Sequence, residues 1–289
     1  MNANSALQNS GSSAIAVEPP TVDLRLNSRE MAQFVKLGYL RFDSVVPEDL
    51  CAEVMNDFES PGLRHSDYRM RPLADVWEAR APISRMLALP RVQAIIESLV
   101  GPAPLYDHHA VHTVEAHANR EENVHQDAEY DVRFEHFDIQ LSFFPHSVTP
   151  DMGGTLFVPG SQFRRAHVFK LMRYQNIVGQ LQTVCPAGTV VIWHHNLWHA
   201  ARSNFTDRRR YMFKLRLNAR VKQERLWNTA DLEHPDVARI LQEDIPWHGH
   251  EQRREVMNRI KLWRSLTGNP RYDLANWWGR VENMPERRA

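Results

Sequence analysis

The chain has 289 residues, of which 43% are hydrophobic, and this is enough to form one domain around a sizeable core. Lys plus Arg equals Asp plus Glu at 35 each, so the zero net charge argues against nucleic acid or an anionic membrane as a partner. Two cysteines, no basic and apolar leader, and no apolar run of about 18 residues predict a cytoplasmic protein without a disulfide framework.

The chain divides by composition into a tail and one predicted domain. Residues 1–22 are rich in Asn, Ser, Ala and Pro without periodicity, which is typical of a flexible tail. The remaining residues, 23–289, are predicted to form a single domain. Within it we expect a helical part at 27–101, a β-core at about 103–218 and a helical C-terminal extension at 219–289.

The helical part contains clear start and stop signals. Asn27, followed three residues later by Glu30, predicts a capping box at the start of the first helix. Pro47 suits the first turn of a second helix with the sequence PEDLCAEVMNDFES. A third helix, PRVQAIIESLVG, places its apolar residues on one stripe and ends at Gly101.

The middle of the chain is predicted to be β-structure. Short β-branched or aromatic runs, separated by Gly, Pro and Asn, indicate antiparallel sheets in a jelly roll or related barrel. These runs are LYDHHAVHTVE, FDIQLSFFP, GGTLFVPGS, GTVVIW and RRYMFKLRLN. In the last run alternate residues form an apolar face, and we expect the other face to line a polar pocket. That second face contains Arg210, Met212, Lys214 and Arg216.

Helical patterning returns after residue 218. The segments HPDVARILQED and EQRREVMNRIKLWRSLTG predict two helices, the second of which ends at Gly268. Helices at both ends of the chain would cover one face of the β-core. The extension also contains tryptophans that we expect to pack on the chain's own barrel or on a partner's barrel in a homodimer. They are Trp247, Trp263, Trp277 and Trp278.

The segment NVHQDAEY places an imidazole and a carboxylate two residues apart. Side chains at positions i and i+2 of an extended strand point to the same side, so His125 and Asp127 are able to converge on one metal ion. For an isolated pair of this kind, a solvated polar strand end without a metal is the more common explanation. The metal hypothesis therefore requires a third ligand on another strand.

The third ligand is expected in the stretch VVIWHHNLWHAARSN. His194, His195 and His199 all qualify by residue type. His199 follows the predicted strand GTVVIW in a loop from which a ligand is able to point back into the barrel mouth. Two histidines and one carboxylate on one side of an ion leave the opposite side open, which is typical of non-haem Fe(II) oxygenases.

An oxygenase of this kind needs a partner for its co-substrate. 2-Oxoglutarate chelates iron at one end and leaves a distal carboxylate, which the planar fork of an arginine matches with two hydrogen bonds. Arg210 lies eleven residues after His199, on the non-apolar face of the next strand. Arg208 and Arg209 are the competing candidates, and we expect both to be solvated.

Three segments together resemble the phytanoyl-CoA dioxygenase family of Fe(II)- and 2-oxoglutarate-dependent oxygenases. They are HQD at 125–127, GGTLFVPGS at 153–161, and the span from VVIWHHNLWHAARSN to RRRYMFKLRL. The resemblance covers roughly residues 28–218. It implies a mainly β fold with flanking helices, built on a double-stranded β-helix with a jelly-roll, cupin-like core.

The same resemblance assigns roles to residues of this chain. It implies that iron is bound by His125, Asp127 and His199. It also implies that Arg210 binds the distal carboxylate of 2-oxoglutarate, with Thr155 of the GGT turn as a second contact. The expected cofactors are therefore Fe(II), 2-oxoglutarate as co-substrate, and O2.

Five further residues are weaker candidates for the pocket. His112 and Asn123 are expected to face the co-substrate, although each is also an ordinary structural residue type. Tyr130, Phe143 and Trp198 are expected to wall the substrate pocket, and plain core packing explains these aromatic residues equally well.

The predicted function is oxidation of an unactivated C–H bond of a small organic molecule in specialised metabolism, with release of succinate and CO2. Because Asp127 is present where halogenating relatives have a small residue, hydroxylation or a related oxidation is favoured over halogenation. A Zn-dependent hydrolase and a non-catalytic small-molecule-binding jelly roll remain as alternatives. The zinc alternative does not account for Arg210 or for GGTLFVPGS.

Overall fold

The structure is a computed structural model that describes residues 22–61, 73–119, 121–127, 136–166 and 176–274. The predicted N-terminal tail lies outside these ranges apart from its last residue. Within the described ranges, no helix is long and apolar enough to cross a membrane.

The N-terminal helices form where the sequence signals placed them. They are α1 (Ser28–Leu37), α2 (Glu48–Phe58), α3 (Pro82–Leu87) and α4 (Pro90–Val100). Asn27 and Glu30 form the predicted capping box, in which each side chain accepts a hydrogen bond from the other residue's backbone. The helix α4 ends at Gly101, as predicted. The three helices expected from the sequence are thus confirmed, and α3 is an additional one.

The β-core consists of two antiparallel sheets. Its strands are β1 (Tyr39–Phe42), β2 (Leu105–Val114), β3 (Ile139–Phe144), β4 (Thr155–Phe157), β5 (Leu181–Gln182), β6 (Thr189–His194), β7 (His199–Ala201) and β8 (Arg210–Asn218). The larger sheet has the order β1-β6-β3-β8-β2 and the smaller one the order β5-β4-β7. This confirms the antiparallel core with flanking helices. Helices contain more of the described residues than strands do, so "mainly β" applies to the core alone.

The larger sheet has two different faces. Alternate residues of β3 and β8, among them Phe143 and Phe213, are buried in the main core together with residues of the N-terminal helices. The opposite face meets the smaller sheet, where the ring of Phe157 lies 5.0 Å from that of Trp193. The space between the two sheets is therefore the place where polar side chains from both can converge.

The C-terminal extension covers this chain's own core. It contains α5 (Pro235–Gln242), a short 3-10 helix (Pro246–Glu251) and α6 (Gln252–Thr267), which ends at Gly268 as predicted. Trp263 is fully buried and its ring lies 5.7 Å from that of Trp227. Trp247 packs on Trp198 of the barrel, with ring centroids 5.5 Å apart. Trp277 and Trp278 lie outside the described residues.

Candidate metal centre

Three of the predicted residues meet between the sheets. His125, Asp127 and His199 each offer one ligand atom, and these atoms lie within 4.8 Å of one another. His199 begins β7, and His125 extends the smaller sheet because their backbones exchange two N–H···O bonds of 3.0 Å. The chain therefore aligns the two histidines by backbone pairing, and their ring centroids are 4.5 Å apart.

Both imidazoles are oriented by backbone carbonyl groups. The Nδ1 of His125 lies 2.7 Å from the oxygen of Asn123, and the Nδ1 of His199 lies 2.9 Å from that of Leu197. Because a carbonyl oxygen only accepts, each Nδ1 donates its hydrogen and each Nε2 keeps a free lone pair. These Nε2 atoms lie 3.6 and 3.4 Å from the oxygens of Asp127. The donor set thus fits a divalent metal ion.

The protonation states also suit metal binding. Burial alone would raise the pKa of Asp127, but its contacts with His125 and His199 outweigh this effect, aided by the charge of Lys214. The pKa of this carboxyl group is therefore held well below its usual range, and the group is anionic at neutral pH. Burial lowers the pKa of His199, which favours the neutral imidazole that binds metals, whereas the contact with Asp127 raises the pKa of His125.

Two further side chains contact the carboxylate of Asp127, and the sequence did not identify either of them as its partner. Gln140 donates from its Nε2 to Oδ2 at 2.7 Å, and the ammonium group of Lys214 contacts the same oxygen. Gln140 lies on β3, in a run that otherwise reads as apolar, whereas Lys214 lies on the predicted polar face of β8. Because both partners bind Oδ2, they leave Oδ1 of Asp127 as the oxygen available to a metal ion.

Arg210 begins β8 and is buried at the same side of the sheet. Its guanidinium donates to the carbonyl of Met152 and, through both Nη atoms, to that of Arg202 at 3.1 Å. Burial lowers the pKa of Arg210 to about 10, so the group remains charged at neutral pH. Gly153 has a φ of +84°, and an ideal Cβ there would lie 2.1 Å from the backbone oxygen of Ser203, so the GGT turn depends on a glycine at this position.

The remaining co-substrate candidates lie close to these groups. Thr155 is buried on β4, and its Oγ1 lies 3.5 Å from the Sδ of Met212, two residues after Arg210. His112 of β2 is paired directly with Met212 in the larger sheet, so both side chains lie on the face of that sheet that meets the smaller sheet. Asn123 contributes its backbone carbonyl, which fixes the ring of His125.

The structure does not place the predicted pocket aromatics beside the triad. Phe143 is fully buried in the core between the sheet and the N-terminal helices, because its neighbours Gln140 and Ser142 occupy the other face of β3. Trp198 precedes His199 and points to the opposite side, where it packs outside the smaller sheet against Trp247. Both expectations are therefore corrected to core packing. Tyr130 lies outside the described residues.

Neither of the two alternative histidines joins the metal centre. His194 packs against the rings of Phe34 and Phe137, and its Nδ1 accepts a hydrogen bond from the backbone of Asn196. His195 is buried, and burial, followed by the charge of Arg216, lowers its pKa to about 4. The geometry therefore selects His199 from the three candidates.

The sequence matches one family model, which is described as phytanoyl-CoA dioxygenase (PhyH). The match covers residues 34–212, which is more than half of the chain and includes the triad and Arg210. A comparison with curated proteins finds no match. The C-terminal helices α5 and α6 lie beyond the matched residues.

Several solved structures share the fold. The iron-bound HygX from Streptomyces hygroscopicus is 14% identical with a TM-score of 0.55, over 74% of this chain and 94% of HygX. EctD from S. alaskensis, solved with 2-oxoglutarate and 5-hydroxyectoine, is 19% identical with a TM-score of 0.53, over 71% of this chain and 80% of EctD. SnoN, a non-heme alpha-ketoglutarate dependent epimerase from nogalamycin biosynthesis, is 19% identical with a TM-score of 0.51, over 66% of this chain and 82% of SnoN. At these identities the likeness shows the fold.

Proposed function

The chain belongs to the phytanoyl-CoA dioxygenase family of iron- and 2-oxoglutarate-dependent oxygenases, and on that premise we propose that it oxidises an unactivated C–H bond of a small organic molecule. The observation that carries the proposal is the convergence of His125, Asp127 and His199. Two imidazoles and one carboxylate on one side of an ion leave positions for a chelating co-substrate and for O2.

The ligand atoms follow from the hydrogen bonds of the site. Fe(II) would be bound by Nε2 of both histidines and by Oδ1 of Asp127, since the carbonyl groups and Lys214 engage the other polar atoms. With 2-oxoglutarate and O2 bound, iron would supply the oxidising chemistry, with succinate and CO2 as the products of the co-substrate. The protein contributes the fixed orientation of the three ligands.

Arg210 is the proposed partner of the distal carboxylate of 2-oxoglutarate. Two backbone carbonyls hold its guanidinium in place, so the fork is oriented before the co-substrate binds. Its buried position strengthens a charged hydrogen bond compared with the same bond in water. Thr155, on the facing sheet, is the proposed second contact.

Hydroxylation is the favoured outcome, and related oxidations remain within the proposal. Asp127 occupies the position where a halogenating site needs a small residue to admit chloride. Among the proteins with a similar fold, EctD was solved with a hydroxylated compound and SnoN is an epimerase. A substrate of the natural-product type is consistent with both.

The test is succinate formation from 2-oxoglutarate in the presence of Fe(II), ascorbate and O2, with a panel of small molecules added. We expect succinate formation that depends on Fe(II) and rises with the true substrate. It should be lost in Asp127→Asn, which keeps the shape of the side chain and removes its charge. Absence of succinate from the iron-loaded protein with every compound, together with ester hydrolysis by the zinc-loaded protein, would reject the proposal.

A further inference from the structure

Gln126 lies between two of the ligands in the HQD segment, and its side chain is tied to a different part of the chain. Its Nε2 donates to the backbone oxygens of Arg164 and Asn196, each at 2.8 Å. Its Oε1 accepts from the backbone N–H of Ala166 at 2.6 Å. Two of these bonds fix the HQD segment to residues 164–166, on the loop that follows β4, and the third joins it to Asn196.

The same loop also holds the segment of the third ligand. Trp198, the residue before His199, donates from its indole Nε1 to the backbone oxygen of Arg164 at 3.0 Å. Its backbone N–H donates to the hydroxyl of Ser161 at 2.8 Å. One carbonyl group, that of Arg164, therefore accepts hydrogen bonds from the neighbours of all three ligands.

The side chain of Arg164 is fixed by the C-terminal extension. Its Nε donates to Glu255 at 2.6 Å, and its Nη2 lies 3.1 Å from Glu251. Its guanidinium lies 4.6 Å from the ring centroid of Trp247, which stacks a cation on an aromatic face. Trp247 in turn donates to the backbone oxygen of Pro159 at 2.8 Å, near the other end of the loop.

Of the two ion pairs of Arg164, the one with Glu255 is the more deeply buried. Glu255 lies on α6 with 1% of its surface exposed, and the side chain of Arg164 is 20% exposed. Removing one partner of a buried ion pair leaves an uncompensated charge, so the remaining group must move or take up water. Any such movement of Arg164 would displace the carbonyl that both ligand segments share.

We propose that the C-terminal extension is a positioning element for the metal centre. Glu255 and Trp247 hold Arg164, and Arg164 sets the distance between the HQD segment and His199 through Gln126 and Trp198. Gln126 and Glu255 are thus positioning residues that act on metal affinity without touching the ion. The inference rests on the proposed metal site and is independent of which substrate is oxidised.

The test is Co(II) binding, followed by the visible absorption of the bound ion in the full-length protein. Residues that orient metal ligands typically change metal affinity by 10- to 100-fold, so we expect Glu255→Gln to weaken Co(II) binding by about 10-fold. The shape and intensity of the Co(II) bands should change as well, because the ligand geometry changes. Loss of stability alone would leave this spectrum unaltered.

A matched control is available on α5. Arg239 has a side chain that is 60% exposed and pairs with Asp236 and Glu243, in the same extension but away from Arg164. Arg239→Gln should keep the Kd for Co(II) within about twofold of that of the wild type, because surface ion pairs contribute little. A similar loss of affinity in both variants would indicate a general effect of altering the extension and would overturn the proposal.

The coupling itself is measured by a double-mutant cycle. Gln126→Met removes the hydrogen bonds and keeps the length of the side chain. If both residues act through Arg164, the double variant with Glu255→Gln should lose less affinity than the two single losses combined. Additive losses, or a folded Glu255→Gln that binds Co(II) like the wild type with an unchanged spectrum, would contradict the proposal.

A second variant keeps the test decisive if Glu255→Gln does not fold. Trp247→Leu removes both the aromatic ring over Arg164 and the hydrogen bond to Pro159. The same weakening and the same spectral change are then expected, and a wild-type Kd and spectrum would reject the proposal. Co(II) binding by the wild type without succinate formation would reject the proposed oxygenase activity alone.

Discussion

The two faces of β8 differ in what their buried side chains contact. One face, with Tyr211, Phe213, Leu215 and Leu217, belongs entirely to the apolar core against the N-terminal helices. The other face carries Arg210, Met212, Lys214 and Arg216 between the two sheets. Because side chains alternate along a strand, consecutive residues of β8 belong in turn to the apolar core and to the proposed ligand site.

Burial alone does not distinguish the two faces. Arg210 and Lys214 are nearly as buried as the leucines, at 5% and 8% exposure. The difference lies in their partners, since Arg210 contacts backbone carbonyls, Lys214 contacts Asp127, and Arg216 pairs with Asp138 at 2.9 Å. Changes on the apolar face should therefore alter the free energy of unfolding, and changes on the polar face should alter ligand affinity.

The largest expected effect is on the apolar face. Phe213→Ala should lower the free energy of unfolding by about 3–5 kcal/mol, since it leaves a cavity in the main core. The folded fraction should bind Co(II) with an unchanged Kd. Urea denaturation and metal titration measure the two quantities. Met212→Leu is the control on the other face, where a swap of similar volume should cost less than about 1.5 kcal/mol.

Metal binding should be visible as added stability. At a Co(II) concentration about 100 times the Kd, the free energy of unfolding should rise by about 2.7 kcal/mol. Phe213→Ala should show the same increment from its lower baseline, and His199→Ala should show almost none. Thermal unfolding with and without Co(II) provides the measurement. An equal increment in His199→Ala would mean that the ion binds elsewhere.

The role of Arg210 predicts a loss of co-substrate affinity. Arg210→Lys keeps the charge but removes the planar fork, and charged hydrogen bonds of about 1.5–3 kcal/mol correspond to an about 10- to 150-fold weaker binding of 2-oxoglutarate. Arg209→Lys is the matched control, because Arg209 is exposed and pairs with Glu115. Calorimetric titration of 2-oxoglutarate into the metal-loaded variants compares them. Equal affinities would shift the assignment away from Arg210.

The smallest expected effect concerns Asp127. Gln140→Met removes the hydrogen bond to Oδ2 while Lys214 keeps its contact, so metal affinity should fall by about 10-fold or less. Ser142→Ala, at the next position on the same face, should leave the Kd for Co(II) unchanged. Tighter metal binding in Gln140→Met would show that Gln140 does not support the ligand.

Local patterns in the sequence predicted the elements well, because they depend on neighbouring residues. The capping box at Asn27 and the alternation along RYMFKLRL both reappear in the structure. The pair His125 and Asp127 was also predictable from the sequence, since an i, i+2 spacing is a local property. Spacing alone left His194 and His199 open and the family resemblance indicated His199, whereas the pairing of residue 199 with residue 125 is a tertiary fact that only the structure shows.

The incorrect pocket predictions for Phe143 and Trp198 also arise because tertiary contacts decide which face of a strand meets the second sheet. In the run IQLSFF, the residues Phe143 and Phe144 lie on opposite faces, and the sequence does not state which face meets the second sheet. Trp198 immediately precedes His199, the first residue of β7, and the alternation of side chains there places the two on opposite sides. The contact of Gln140 with Asp127 joins residues from two separate segments, which no local pattern encodes.

The central claim is that this triad binds Fe(II) and that Arg210 binds 2-oxoglutarate beside it. The most direct measurement is an anaerobic titration of Fe(II) and 2-oxoglutarate, followed by the weak visible charge-transfer band of the chelate. We predict a band in the wild type that disappears in His199→Ala and needs far more 2-oxoglutarate in Arg210→Ala. No band in the iron-loaded wild type, or the same band in His199→Ala, would contradict the account.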